Sequence, residues 1–165
     1  MNNNTHSLKY LIFDWGDTLM HDFREKDGPM CYWDKVTVVD GLKDFLAYCY
    51  EKYPLMVASN SGFSTTEMMV KALNRGGIDR YFSHFFTSKD IGVEKPNPLF
   101  FDHILKHTKA IPSTIGFIGN DYIKDVEAAK NSGMTTFFYN PNHLNGDFPA
   151  ADFTFTQFDE LYQVV

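Results

Sequence analysis

The stretch YLIFDWGDTLM, residues 10–20, decides the fold class of this chain. Four residues with apolar or aromatic side chains run directly into a carboxylate, Asp14. The chain then turns through Trp15 and Gly16 and presents a second acid, Asp17. A short apolar run bounded in this way predicts a buried strand, and a carboxylate at the end of such a strand predicts a functional role.

Outward from this strand, short apolar runs alternate with amphipathic segments along the chain. The apolar runs predict strands over 9–13, 54–59, 83–88, 114–119, 134–139 and 152–155. The amphipathic segments predict helices over 42–51, 64–74, 97–107, 122–132 and 157–163. This alternation indicates an α/β fold: one Rossmann-like, three-layer domain over residues 1–165, with a central parallel sheet between helices.

Two of the predicted helices have capping residues at their starts. Asp40 is the predicted N-cap of the helix over 42–51. Asn97 and Pro98 predict the start of the helix over 97–107, because asparagine caps a helix and proline fits its first position.

Composition and charge argue against several classes of function. The chain has 165 residues and a net charge of −6 without a cluster of Lys or Arg, which disfavours nucleic-acid binding. Its apolar runs are shorter than the roughly 18 residues that suggest a membrane span. Cys31 and Cys49 suit free thiols in a reducing compartment. Residues 1–7 predict a disordered tail rather than a signal peptide, so we expect a cytoplasmic protein without nucleic-acid or membrane partners.

Polar side chains follow several predicted strands at the point where each strand ends, or lie in the loops beyond. In chain order they are Asp14, Ser59, Asn60, Lys95, Asn120 and Asp121. Each taken alone could be a helix cap or a solvated loop residue. Because the carboxyl ends of parallel strands share one edge of a sheet, we expect Asp14, Ser59, Asn60, Asn120 and Asp121 to converge in one crevice if their strands are neighbours. Together they supply the parts of a phosphoryl transfer: a nucleophilic carboxylate, carboxylates for Mg²⁺, and donors for phosphoryl oxygens.

Four segments resemble the motifs of the haloacid dehalogenase superfamily of hydrolases. They are IFDWGDTL, MVASN, VEKPNPLFF and FIGNDYIKDVEAAKNSGM, which stand in the family's order and spacing. Most members of this superfamily are Mg²⁺-dependent phosphatases that form an aspartyl-phosphate intermediate. The resemblance covers the chain from Tyr10 to about Tyr162, and it implies the same activity, the same cofactor and a phosphorylated substrate.

The resemblance also implies roles for individual residues. It makes Asp14 the nucleophile and a metal ligand, and it makes the backbone carbonyl of Gly16 a second ligand. In the fourth motif it implies metal binding by Asp121 and, directly or through water, by Asp125. The implied phosphate-binding residues are Ser59, Asn60 and Lys95, and Lys95 also counts as catalytic.

The first motif departs from the family pattern at Gly16. The family's aspartate at this position protonates the leaving group and then activates water, and glycine can do neither. Asp17 lies one residue later and is a candidate catalytic substitute, although it could instead cap the turn. General acid–base help is typically worth about 10²–10⁴-fold, so we expect slow hydrolysis of alkyl phosphates and less loss with good leaving groups.

Two other functions stay open at the level of sequence. The 2-haloacid dehalogenases and the phosphonoacetaldehyde hydrolases of this superfamily also carry other residues at the position of Gly16. Dehalogenation or carbon–phosphorus cleavage is therefore one alternative. The other alternative is a domain that binds a phosphorylated ligand or protein without turnover.

Residues 20–39 form an irregular region between the first strand and the first helix. They predict either a flap, or minimal cap, over the crevice or a loop that packs its aromatic residues on the domain. The intervals between the motifs are too short for a large cap, so we expect an open crevice. That suits a bulky substrate or a phosphorylated macromolecule, unless a second subunit closes the site. Tyr32 and Trp33 are candidates for such a subunit contact or for stacking on substrate.

Overall fold

A central sheet of six parallel strands organises the fold. The computed structural model describes residues 7–165, so the predicted tail lies outside the described residues except for Ser7. The strands are β1 (Tyr10–Phe13), β2 (Leu55–Ser59), β3 (Phe82–Thr87), β4 (Ile115–Gly119), β5 (Thr135–Tyr139) and β6 (Phe153–Phe155). Each begins and ends within one residue of its predicted position, and all neighbouring pairs are parallel. The predicted α/β fold class is confirmed.

The order of the strands creates a switch point beside β1. The order across the sheet is β3-β2-β1-β4-β5-β6. The chain therefore winds outward from β1 to β3, returns to β4 on the other side of β1, and winds outward again to β6. Sheets of this type bind ligands at the carboxyl ends of the strands that flank the switch point. Asp14 follows β1 and Asn120 follows β4, so both lie at this place.

Helices cover both faces of the sheet. They are α1 (Leu42–Tyr50), α2 (Thr66–Gly76), α3 (Ser88–Ile91), α4 (Pro98–Thr108) and α5 (Ala128–Asn131), and a π-helical segment (Tyr122–Glu127) runs into α5. Short 3₁₀ segments lie at Met30–Tyr32, Asp79–Tyr81, Pro112–Thr114 and Phe158–Gln163. Over residues 7–165, no helix combines the length and the apolar character needed to cross a membrane.

Alternate residues of the strands supply two separate hydrophobic cores. Leu11 and Phe13 of β1 belong to a cluster that includes residues of α1 and α2. Ile12, between them, belongs to a cluster on the opposite face that includes residues of α4 and α5. The side chains of a strand point alternately to its two faces, so a strand buried on both faces reads as a continuous apolar run. Cys31 and Cys49 are both buried free thiols.

The helix predictions hold for the longer helices and need correction at one cap. Asn97 caps α4 as predicted, because its side chain accepts a hydrogen bond from the backbone N–H of Leu99. The predicted capping role of Asp40 is wrong: the N-cap of α1 is Gly41, which turns the chain with a φ of 74° and makes no side-chain capping bond. The predicted helix over 122–132 is π-helical in its first half, and that over 157–163 is a 3₁₀ segment.

The irregular segment 20–39 packs on the domain and also borders the crevice. Its ends meet in an antiparallel bridge between Met20 and Val38. The guanidinium of Arg75 on α2 donates hydrogen bonds to the carbonyls of Cys31, Trp33 and Asp34, which fixes the middle of the segment. The indole of Trp33 is 8% exposed and belongs to the core, so it is not available for the subunit contact suggested from sequence. Tyr32, by contrast, is exposed.

Candidate active site at the switch point

A crevice of about 660 Å³ opens at the carboxyl ends of β1, β2 and β4. Its floor contains Asp14, Ser59 and Lys95, all of which are buried. One wall is formed by the first part of the segment 20–39, and the opposite wall by the residues that follow β4. The side chains that follow the strands therefore line one crevice, as predicted.

Lys95 is the centre of a buried network of charges. Its ammonium nitrogen lies 2.8 Å from Asp14 Oδ1, 2.6 Å from Asp125 Oδ1 and 3.0 Å from the carbonyl oxygen of Ala58. Burial alone would lower the pKa of Lys95, but the charges of Asp125 and Asp14 outweigh it and raise this pKa. The side chain therefore stays charged. All three ammonium hydrogens have acceptors in the protein, so a phosphoryl oxygen must displace one of them to reach Lys95.

Asp125 lies against the end of β4 because residue 119 is glycine. A Cβ atom at Gly119 would lie 2.4 Å from Asp125 Cβ and from Asp125 Oδ2, which is closer than atoms can approach. Asp125 Oδ2 accepts a hydrogen bond from the backbone N–H of Asp121 at 3.1 Å. Burial and the charge of Asp14 raise the pKa of Asp125, and Lys95 opposes this. The π-helical segment contains Asp125, and such segments are frequent at functional sites.

Asn60 holds the backbone of Lys95 with both atoms of its amide. Its Nδ2 donates to the Lys95 carbonyl at 2.9 Å, and its Oδ1 accepts from the Lys95 N–H at 2.7 Å. The side chain thus fixes the loop that carries Lys95, and one Nδ2 hydrogen is left for a ligand. Sequence reasoning assigned Asn60 to phosphate and missed this contact, because the two residues are 35 positions apart.

Several hydrogen-bonding groups on the crevice floor have no partner in the described part of the chain. Trp15 Nε1 and Ser61 Oγ are buried and unpaired there. Ser59 Oγ accepts from the backbone N–H of Ser61 at 3.2 Å, which leaves its own hydroxyl hydrogen unassigned. Buried polar groups are rarely left without a partner, so the unpaired atoms of Trp15 and Ser61 are exceptions within residues that line the crevice.

The turn after Asp14 places three groups at the mouth of the crevice. Asp17 adopts a left-handed conformation with a φ of 57°, and its Oδ1 accepts a hydrogen bond from the backbone N–H of Asp22 at 2.9 Å. Gly16 faces Asp22: a Cβ atom at residue 16 would lie 3.4 Å from Asp22 Oδ2. Asp22 is exposed, but the protein atoms around its carboxyl still raise its pKa by desolvation, as do the charges of Asp17 and Asp14, while Arg24 lowers it. Sequence reasoning missed Asp22, because it lies in a segment without periodicity.

The predicted metal ligands come together only in part. Asp14 and Asp125 meet through Lys95, whereas the half-exposed Asp121 uses Oδ1 to cap the backbone N–H of Lys124 at 2.9 Å. Among the described residues, no group of three His, Cys, Asp or Glu side chains is arranged to hold a metal ion. Asp14 Oδ2 and the carbonyl of Gly16 nevertheless accept no hydrogen bond from residues 7–165.

The charge around the crevice is suited to a divalent cation. The carboxylates that line it are Asp14, Asp17, Asp22, Asp27, Asp121 and Asp125. The cationic side chains that line it are Arg24, Lys26, Lys95 and Lys124. Negative charge is therefore in excess, and the free ligand atoms are oxygens, which are the atoms that Mg²⁺ prefers. An anionic substrate would be repelled here unless a cation accompanied it.

Comparison with known proteins identifies the family. The profile of the haloacid dehalogenase-like hydrolases matches residues 6–139, which is most of the chain. The chain therefore belongs to the haloacid dehalogenase-like hydrolases, and the resemblance inferred from the four motifs is confirmed. The short intervals between its motifs, filled by few helices, are compatible with a capless or minimally capped member.

Among curated relatives, the pyrimidine 5′-nucleotidase PynA of Streptococcus pneumoniae is 29% identical over 108 residues, covering 64% of this chain and 44% of PynA. The glyceraldehyde 3-phosphate phosphatase of Methanothermobacter thermautotrophicus is 33% identical over 88 residues, covering 53% of this chain and 38% of that enzyme. The chain thus spans less than half the length of these two relatives.

A solved structure shares the fold. The HAD-hydrolase YfnB of Bacillus subtilis, bound to magnesium, superposes with a TM-score of 0.69 and 20% identity. The match covers 78% of this chain and 55% of YfnB. At this level of identity the comparison shows the common fold alone.

Proposed function

We propose that the chain is a Mg²⁺-dependent phosphohydrolase that acts through an aspartyl-phosphate intermediate on Asp14. The observation that carries the proposal is the state of the Asp14 carboxylate. Lys95 fixes its Oδ1, while Oδ2 carries no hydrogen bond from the described residues and belongs to a side chain that lines the crevice. A carboxylate held in this way is oriented for attack on phosphorus.

The proposed first step forms a bond from Asp14 Oδ2 to phosphorus and breaks the bond from phosphorus to the leaving oxygen. In the second step, water attacks phosphorus and returns the bonding electrons to Asp14, which releases inorganic phosphate. We propose that Ser59, a residue of the crevice lining, holds a phosphoryl oxygen. Lys95 joins it by exchanging one of its three acceptors for a phosphoryl oxygen. Asn60 keeps the Lys95 loop in position and has one amide hydrogen left for the substrate.

The cofactor we propose is Mg²⁺, held by Asp14, the Gly16 carbonyl and Asp121, with Asp125 in support. A magnesium ion would neutralise the charge of the phosphoryl group during transfer. The excess of carboxylates around the crevice and the unpaired oxygens of Asp14 and Gly16 support this assignment. The magnesium in the YfnB structure supports it by family likeness.

The proposed substrate class is a phosphorylated small molecule. The two curated relatives are named for a pyrimidine nucleotide and for glyceraldehyde 3-phosphate, so the family accommodates unlike leaving groups. Among the described residues, part of the segment 20–39 lines one side of the crevice, which leaves access for a phosphorylated macromolecule. If a small substrate has to be shielded from water, a second copy of the chain is the proposed cover.

The proposal is tested by hydrolysis of para-nitrophenyl phosphate and acetyl phosphate with and without Mg²⁺. The variants are Asp14→Asn and, as a control for the same chemical change on an exposed helix surface, Asp102→Asn. We expect Mg²⁺-dependent turnover that is lost in Asp14→Asn and retained in Asp102→Asn. Metal-independent release of halide from a 2-haloacid would support dehalogenation instead. Binding of Mg²⁺ and phosphate without any turnover would support a binding domain.

A further inference from the structure

The proposed reaction needs a group that gives a proton to the leaving oxygen and takes one from water. This requirement rests on the proposed function. Residue 16 has no side chain, and Lys95 is committed to two carboxylates and a carbonyl. Asp17 follows Gly16 in the chain, Asp22 is the side chain that a Cβ at residue 16 would meet, and both line the crevice.

Asp22 occupies the space that a side chain at residue 16 would enter. A Cβ atom built on Gly16 would have Asp22 Cβ and Oδ2 at 3.4 Å and Asp22 Cγ at 3.8 Å as its nearest neighbours. These are ordinary contact distances. The carboxylate of Asp22, from the segment 20–39, therefore lies next to the position of a side chain at residue 16. Both residues line the same crevice as Asp14.

Asp17 is hydrogen-bonded to the backbone of the segment that carries Asp22. Its Oδ1 accepts the backbone N–H of Asp22 at 2.9 Å, and its own N–H donates to the carbonyl of Met20 at 2.7 Å. These two bonds close the chain between residues 17 and 22 into a loop. In this geometry Asp17 is a positioning residue, because it fixes the backbone from which the Asp22 side chain extends.

We propose that Asp22 is the general acid and base of this site, supplied from the segment 20–39 in place of a side chain at residue 16. In the first step, the Asp22 carboxyl gives its proton to the leaving oxygen as the bond from that oxygen to phosphorus breaks. In the second step, the Asp22 carboxylate takes a proton from the attacking water. The water oxygen bonds to phosphorus, Asp14 leaves as a carboxylate, and Asp22 is again protonated.

The test compares two substrates with opposite needs for an acid. Glycerol 2-phosphate has a poor leaving group, and acetyl phosphate has a good one. We expect Asp22→Asn to slow hydrolysis of glycerol 2-phosphate by about 10²–10⁴-fold, the usual worth of general acid–base catalysis. Formation of the phosphoenzyme from acetyl phosphate should change little, but its hydrolysis should slow. Rapid-quench mass spectrometry should therefore find Asp14 phosphate in both proteins, but at a higher level and for a longer time in Asp22→Asn than in wild type.

Two further variants separate a catalytic role from a structural one. Asp17→Asn keeps an acceptor oxygen for the Asp22 N–H but cannot exchange a proton, so it should be much less impaired than Asp22→Asn. Asp34→Asn is the control: it makes the same change in an exposed ion pair with Lys26 of the same segment. Exposed ion pairs contribute little to stability, so this variant should keep the wild-type rates. Adding Gly16→Asp to Asp22→Ala should restore part of the rate on glycerol 2-phosphate, because alanine removes the Cγ and Oδ2 atoms that lie 3.8 and 3.4 Å from a Cβ at residue 16.

The outcomes distinguish failure of this inference from failure of the proposed function. Asp14-dependent turnover with an unchanged substrate ratio in Asp22→Asn would overturn the role of Asp22 alone. A loss in Asp17→Asn equal to the expected loss in Asp22→Asn would transfer the role to Asp17. Wild-type protein that forms no phosphate on Asp14 from either substrate would overturn both proposals.

Discussion

The substitution Gly119→Ala should disrupt the site by displacing Asp125, although residue 119 itself has no side chain that acts on substrate. The added methyl group would lie 2.4 Å from Cβ and Oδ2 of Asp125 and 2.5 Å from its Cγ. Asp125 has little freedom to move away, because it is 2% exposed and is bonded to Lys95 and to the Asp121 backbone. The carboxylate must therefore give up at least one of these partners.

The magnitude follows from two effects. Overpacking a well-packed interior typically costs about 1–3 kcal/mol. Breaking a buried ion pair by deleting a partner costs about 3–5 kcal/mol, and here the partner is displaced rather than deleted. We therefore expect a loss of roughly 3 kcal/mol in the free energy of unfolding. For a chain of this length that corresponds to a fall of roughly 6–12 °C in Tm.

The assay is denaturant unfolding followed by circular dichroism, together with calorimetric binding of inorganic phosphate in the presence of Mg²⁺. Gly116→Ala is the matched control: on the same strand, its Cβ would lie 2.7 Å from Leu11 Cδ2 and 3.0 Å from Phe137 Cε2, away from the crevice. It should lose stability but keep phosphate binding, whereas Gly119→Ala should lose both. Wild-type stability and phosphate affinity in Gly119→Ala would refute the placement of Asp125 against β4.

Three further perturbations test other parts of the molecule. Lys95→Met leaves two carboxylates without their shared cation and should cost roughly 3–5 kcal/mol of unfolding free energy in denaturant titrations; a loss below about 1 kcal/mol would show that the ion network is not buried as described. Arg75→Gln removes charge-assisted bonds worth roughly 1.5–3 kcal/mol and should speed proteolytic cleavage within residues 20–39, whereas Arg80→Gln, which loses surface contacts with the neighbouring Tyr81, should not. Partial burial and the neighbouring His107 lower the pKa of His84, so its contribution to stability is fully present above about pH 6.5 and falls as the pH drops through the lowered pKa. His84→Phe should therefore flatten the decline of Tm between about pH 7 and about pH 5, and an unchanged decline would contradict this.

The positions of β1, β2, β4 and β5 could be predicted from sequence because these strands are buried on both faces. Such a strand is a continuous apolar run, and its ends are visible as polar residues, as at Phe13 and Asp14. The convergence of Asp14, Ser59 and Asn120 followed from the rule that parallel strands end at one edge. The helix starts were less certain: Asp40 has a suitable capping side chain, but the left-handed turn at Gly41 determines the cap.

The contacts within the site could not be predicted in the same way. Which carboxylates meet Lys95 depends on how its loop folds, and that loop is held by Asn60 from another strand. The closeness of Gly119 to Asp125 depends on a π-helical turn, which leaves no periodic signal in the sequence. Asp22 reaches Gly16 only because Asp17 closes the intervening loop.

The central claim is that Asp14 carries the phosphoryl group, and rapid-quench mass spectrometry after mixing with acetyl phosphate and Mg²⁺ tests it most directly. We expect a phosphoryl group on the peptide that contains Asp14, formed and lost at rates consistent with turnover, and none in Asp14→Asn. Phosphate release by Asp14→Asn at the wild-type rate, with Asp14 unmodified throughout in the wild-type protein, would contradict it.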